Sequence, residues 1–257
     1  MPFLPNSHPM KQTVQYLAAC LLALCPTLVL AQAASPAPAP PPPAREGSVE
    51  FAFIGTTGNS STQTIGLGGE VIVRPNQWVI RNRVALVRNE SAGTLTAESF
   101  QYLFRTERAL SPRSAAFGEY TYFRDEFAGI EHRNAVVGGV SYKVLNQAAQ
   151  VLSVDSGLGY LNEHRLIGPD VSSGIYALGG AYNLKLSSTA ELTEDIRFSG
   201  TFALADDWRV ANILAIVARI TTLFSLKASH TIRHMNAPVP GFKSTDTTTA
   251  IALVAKF

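Results

Sequence analysis

The sequence predicts an all-β fold: a single antiparallel transmembrane β-barrel of about twelve strands, in up-and-down topology. Three observations predict it. The chain has 257 residues, 46% hydrophobic and only 16% charged, against about 25% charged in ordinary soluble domains. Yet after residue 31 no stretch comes near the ~18 unbroken apolar residues of a spanning helix, so the apolar content is spread on alternate positions. The last stretch, 247–257, reads TTTAIALVAKF. Thr249, Ile251, Leu253, Ala255 and Phe257 share one face, while Ala250, Ala252 and Val254 on the other lack the polar character of a strand in water. We read this stretch as the closing strand and Phe257 as the residue that marks the barrel for insertion.

Residues 1–33 have the form of a secretory signal peptide. Lys11 supplies the positive region, 14–30 the apolar run broken by Pro26, and Ala31-Gln32-Ala33 a small-x-small cleavage site. A transmembrane anchor fits less well, because the run is short and interrupted. Acylation at Cys20 would leave an apolar tail directly after the lipid. Residues 34–46 form a Pro/Ala-rich linker that prefers polyproline II and cannot bury a core. The barrel domain is 47–257.

Within it only Pro75, Pro112, Pro169, Pro238 and Pro240 occur. Proline cannot donate to a sheet ladder, so it marks the breaks. Strand 49–55 carries Val49, Phe51 and Phe53 on one face, followed by a loop at 56–62. Strand 63–74 alternates Ile65, Leu67, Val71 and Val73 against Glu70 and Arg74. Strand 77–89 sets Trp78, Ile80, Val84 and Leu86 opposite Arg81 and Arg83. Strand 94–109 sets Phe100, Tyr102 and Phe104 against Arg105 and Glu107. Strand 115–124 carries Tyr120 and Tyr122 opposite Glu119, and 125–130 is a loop. Strand 131–145 puts Val136, Val140, Tyr142 and Val144 against Arg133 and Lys143. Strand 150–162 sets Leu152, Val154, Leu158 and Tyr160 against Asp155, and the loop 163–173 follows. Strand 174–186 alternates Tyr176, Leu178, Tyr182 and Leu184. Strand 190–204 sets Ile196, Phe198 and Phe202 opposite Glu191, Asp195 and Arg197. Strands 208–220 and 223–235, the loop 236–246 and the closing strand complete the series.

Short and long connections alternate along most of the chain, as expected for periplasmic turns and external loops of an even-stranded bacterial barrel. The connections at 91–93 and 206–207 are short where length is expected. A soluble β-sandwich would need one hydrated face and shorter strands. Strands of this length cross an apolar band at a tilt, which takes about 9–11 residues, and a sheet in lipid must close on itself.

With the apolar side facing lipid, the other side lines the interior. The expected lumen-facing charges are Glu70, Arg81, Arg83, Arg105, Glu119, Arg133, Asp155, Glu191, Asp195, Arg197, Arg219 and Arg233. Both signs are interspersed, so they should pair across strands. Two readings follow: a charge-laced structural interior, or a narrow polar pore with a mild preference for anions.

Other functions are disfavoured. Net charge is +2, and loss of the leader with Lys11 leaves 20 basic and 19 acidic residues, or +1. That is no nucleic-acid footprint. Cys20 and Cys25 both lie in the leader, so disulfides and thiolate chemistry are excluded from the mature chain. There is no Gly-x-Ser-x-Gly elbow, and Gly66-Leu67-Gly68-Gly69 has no helix after it, so it is no nucleotide loop. His230 and His234 sit ~13 Å apart on a strand and cannot share an ion. Asp125, Glu126, Glu131 and His132 form the densest acid/His group, at an external rim. No catalytic residue, metal site or cofactor is expected, and the chain is read as a non-enzyme. The alternatives are a lipid-modifying hydrolase using Glu131 and His132, or an adhesion or assembly module acting through external loops.

Five stretches in order carry a resemblance: 53–60 with its Thr57-Gly58-Asn59-Ser60 loop, 120–130, Val137-Gly-Gly-Val-Ser-Tyr142, Gly157-Leu-Gly-Tyr160, and the end from Thr245-Asp246 to Phe257. Together they resemble the salt-induced outer-membrane protein family, across about 47–257. The resemblance implies an outer-membrane barrel of Gram-negative bacteria and no established substrate or reaction. The expected surroundings are outer-membrane lipid and lipopolysaccharide, with the barrel-assembly machinery as a partner during insertion. Oligomeric state is left open.

Overall fold

A computed structural model describes residues 42–56 and 62–257. The expected leader lies outside the described residues, as do positions 34–41 of the linker and 57–61 of the first loop. Twelve strands form: β1 (Arg45–Thr56), β2 (Thr62–Val73), β3 (Trp78–Ser91), β4 (Thr94–Ala109), β5 (Ser114–Asp125), β6 (Ile130–Asn146), β7 (Gln150–Arg165), β8 (Val171–Lys185), β9 (Ala190–Thr201), β10 (Trp208–Arg219), β11 (Phe224–Met235) and β12 (Thr245–Lys256). Each pairs antiparallel with the next, and β1 pairs with β12, so the sheet closes into a barrel. No helix of the described residues is long and apolar enough to cross a membrane, which bears on helices only.

Three of the five short turns at one end share a local device. Ser111, Ser187 and Thr221 each accept two backbone N–H groups from the residues two and three positions on. A hydroxyl at the first turn position replaces backbone partners that the sheet cannot supply. At the other end, β3 and β4 are joined by Ala92-Gly93 alone, both with positive φ. That is the two-residue geometry whose twist matches the flanking strands.

Most strand limits follow the alternation, with three informative differences. β1 starts inside the expected linker, because Arg45 and Glu46 pair with Val73 and Ile72. The expected loop 163–173 shrinks to 166–170. Glu163 is laddered between Arg133 and Val171, and its carboxylate is held by three guanidinium groups. β9 stops at Thr201, where the Thr201 N–H donates to the Asp207 carbonyl and turns the chain.

The outer face carries the exposed aromatic and aliphatic residues, among them Phe51, Phe53, Val136, Leu158, Leu178 and Ile251. The inner face is packed. Phe117, Val137, Leu161 and Ile175 make a small apolar cluster there. The β6–β7 wall is tight: a Cβ on Gly139 would lie 2.2 Å from the Ser156 carbonyl oxygen, and one on Gly159 only 2.1 Å from that of Val136. Glycine at both positions permits this approach of the two backbones.

Candidate functional site

The described charges of the interior gather in two layers. All twelve expected lumen-facing residues stand on the alternation opposite the exposed apolar side chains. They do not all come together. Glu70 meets Arg83 at 2.8 Å and Arg81 at 3.4 Å near the short-turn end. Arg219 donates to the Ser188 carbonyl at the rim, and Glu191 meets Lys256 at 3.5 Å.

The first layer is centred on Arg105, only 3% exposed. Its guanidinium donates to Glu107 at 2.6 Å and Glu119 at 3.0 Å, pairs with Asp155 at 2.9 Å, and lies 4.0 Å over the Phe117 ring. Arg197 holds Asp195 at 3.0 Å and reaches Glu119 and Asp155 at 3.4 Å. Thus β4, β5, β7 and β9, which are not all neighbours, are tied across the lumen. Two guanidiniums face four carboxylates, a local charge of −2. A cavity of about 320 Å³ opens on the short-turn side, and Arg74, Arg81, Arg113 and Lys143 also line it.

The second layer lies toward the long loops. Glu163 is wholly buried and accepts from Arg133, from Arg165 at 2.6 Å and from Arg209 at 3.4 Å. Arg209 also meets Asp207 at 3.1 Å, yet its Nε and Nη1 have no partner among the described residues. Arg133 reaches the Met235 sulfur at 3.4 Å, and both Arg133 and Arg233 approach the Phe123 ring. Arg233 touches Gln101 at 3.5 Å. Above this layer the loop 236–244 turns inward, burying Val239 completely. The Phe242 ring of the same loop crowds Gly129, where a Cβ would meet it at 2.8 Å.

Sequence reasoning missed four of these participants, Arg165 lying with Glu163 in the expected loop 163–173. Asp207 sat in an expected turn, Glu163 in an expected loop, and Val239 in a loop expected to be external. For Glu163 a signal was present, because it continues the inward positions Asp155, Gly157, Gly159 and Leu161.

The chemistry available to this interior is charge pairing. The carboxylates are engaged by guanidinium or ammonium groups, as with Lys227 Nζ at 2.8 Å from Glu50. The rim group disperses: Asp125 accepts from the Ala128 N–H, Glu126 pairs with Arg124, Glu131 is exposed and His132 stacks on His164 at 4.4 Å. His230 and His234 each contact a separate threonine, Thr249 and Thr245, at 2.8 Å on the outer face. Among the described residues no group of three or more His, Cys, Asp and Glu could hold a metal ion.

Fold and interior define a class: a closed twelve-strand antiparallel barrel, apolar outside and filled with paired charge inside. The chain belongs to the family described as "Protein of unknown function, DUF481", which matches residues 49–257. No curated protein matches it. Among solved structures it is similar to the NanC porin, at 8% identity over 82% of this chain and 97% of that one, with a TM-score of 0.47. It is also similar to the KdgM porin in complex with disordered oligogalacturonate, at 6% identity, 82% and 98% coverage and a TM-score of 0.43. A third is the translocator domain of the autotransporter NalP from Neisseria meningitidis, at 12% identity, 82% and 86% coverage and a TM-score of 0.42.

Proposed function

We propose that this chain is an outer-membrane β-barrel of the Gram-negative envelope, non-enzymatic, whose interior is a charge-paired filling that admits only weak, transient conduction. Lipopolysaccharide surrounds its outer leaflet, and the barrel-assembly machinery inserts it. A role in salt or envelope stress is part of the same proposal and rests on the family resemblance.

The membrane reading is supported by exposed apolar residues on every second position around a closed sheet. Closure removes the unpaired edges that hydrocarbon penalises by several kcal/mol for each group. The filled-interior reading rests on one observation above the rest: ion pairs join strands that are not neighbours, as Arg197 of β9 does with Glu119 of β5 at 3.4 Å. A freely open pore leaves its width to water, whereas here side chains from opposite walls meet.

Planar-bilayer recording of the refolded protein tests this. Wild type is expected to show no steady channel above leak. The double variant Arg105→Ala, Arg197→Ala is expected to show resolved current steps, since it removes the ties across the lumen. A large, steady wild-type conductance would refute the filled interior. Membrane fractionation, and protein level at raised NaCl, check the location and the stress link.

A further inference from the structure

The outer wall is not uniform. Around β5 to β8 its middle is aromatic and aliphatic, with Tyr122, Val136, Val154, Leu158 and Leu178 on outward positions. Across β9 to β12 a polar row interrupts it: Glu194, Asn212, His230 and Thr249. The register sets them on successive strands around Leu214. Leu214 pairs with Glu194 on one flank and with His230 on the other, and His230 pairs with Thr249. Glu194 stands between Leu192 and Ile196 on its own strand, well inside the apolar band.

Several other outward polar groups have a partner or stand near a rim. Asn82 and Asn134 each accept a tyrosine hydroxyl, from Tyr102 at 2.8 Å and Tyr120 at 2.7 Å. Arg88, Glu98 and Arg124 stand near the long-loop rim, and Arg108 lies by Trp78 at the short-turn end. The β9–β12 row is only half satisfied. Asn212 donates to Glu194 Oε1 at 2.9 Å, and His230 Nδ1 is 2.8 Å from the Thr249 hydroxyl. Glu194 Oε2 and His230 Nε2 have no partner among the described residues. A carboxylate and an imidazole facing hydrocarbon with spare bonding capacity are costly.

We propose that the β9–β12 wall is an intramembrane interface between two copies of this chain, in which Glu194 of each copy meets His230 of the other. The polar row is self-complementary. A two-fold axis along the barrel, running by β10, exchanges the β9 and β11 sides, so the acid of one copy is brought to the imidazole of the second. That is the isologous arrangement commonest among oligomers. The proposal rests on the membrane location given above.

Site-specific crosslinking in isolated outer membranes tests it, in a background with Cys20 and Cys25 replaced by Ser. Leu214→Cys is expected to give a disulfide-linked dimer on oxidation, and Phe104→Cys on β4, six strands round the barrel, a monomer. Glu194→His or His230→Glu, added to Leu214→Cys, is expected to cut dimer yield at least fivefold. The swap of both residues together is expected to restore it. An unheated-gel mobility shift shows which variants fold, and the single Leu214→Cys result decides the question if the swaps do not. Monomer throughout, or equal dimer from both walls, would overturn the interface while leaving the membrane location standing. Absence of the protein from the outer-membrane fraction would instead remove the location itself.

Discussion

Glu163 is the most deeply buried charge among the described residues. Fully buried, it faces Arg133, Arg165 and Arg209. A buried ion pair is weak evidence of net stability, because taking both charges from water is expensive, but removing one partner strands the others. Glu163→Gln is therefore expected to lower stability by about 3–5 kcal/mol, read as a drop in the urea midpoint of the refolded barrel in detergent. Arg209→Met should cost less. Two of the Arg209 nitrogens already lack a partner, Arg133 and Arg165 remain to hold Glu163, and the one carboxylate left without its ion pair is Asp207, against the three guanidiniums that lose their pair with Glu163. Equal losses in the two variants would contradict this ranking.

Among the elements, the seam between β1 and β12 is the one that makes a sheet into a barrel. Gly47 and Phe257 close its short-turn end, exchanging both backbone hydrogen bonds at 2.8 and 2.9 Å. The Phe257 ring lies where a Gly47 side chain would be, 2.5 Å from an ideal Cβ. Such an aromatic cover over a strand glycine restores apolar surface that glycine cannot offer. Phe257→Ala is expected to cost about 1 kcal/mol, since the ring is only partly buried. Gly47→Val should cost a similar amount by displacing the same ring. The double variant should then lose little more than either single one, as coupled neighbours do. Strict additivity in urea melts would show that the ring and the glycine act separately.

The elements also show what sequence could and could not say. A period of two assigns a residue to a face, so Glu70, Arg81, Asp155 and Asp195 could be grouped without coordinates. Proline and hydroxyl residues located the turns at 75, 112, 187 and 221. Periodicity does not give height along the barrel or partners across it. Nothing in the sequence pairs Arg197 with Glu119, 78 residues away. The loop 236–244 reads as external from Pro238 and Pro240, because a lone valine between prolines gives no sign of being the buried tip. Glu194 was equally hidden: one acid among Leu192, Ile196 and Phe198 reads as noise in an apolar strand until its neighbours on β10 and β11 are known.

At the scale of the whole molecule, the question is which solvent the outer face meets. In water, an exposed leucine on a strand is replaceable, and surface changes usually stay within about 0.5 kcal/mol. In hydrocarbon, the same position resists charge. Leu158 is a sharp probe, at 65% exposure in the middle of β7 and outside the polar row of β9 to β12. Leu158→Lys is expected to destabilise the barrel in lipid vesicles by about 2–4 kcal/mol, the depth-dependent cost of a cation at the bilayer midplane. The comparison variant is Leu158→Ala, which removes apolar area without adding charge and should cost clearly less. Reversible urea unfolding from the same vesicles measures both. A lysine tolerated as well as alanine would mean that water, not lipid, surrounds this face, and the apolar exterior would then need a covering protein in place of a bilayer.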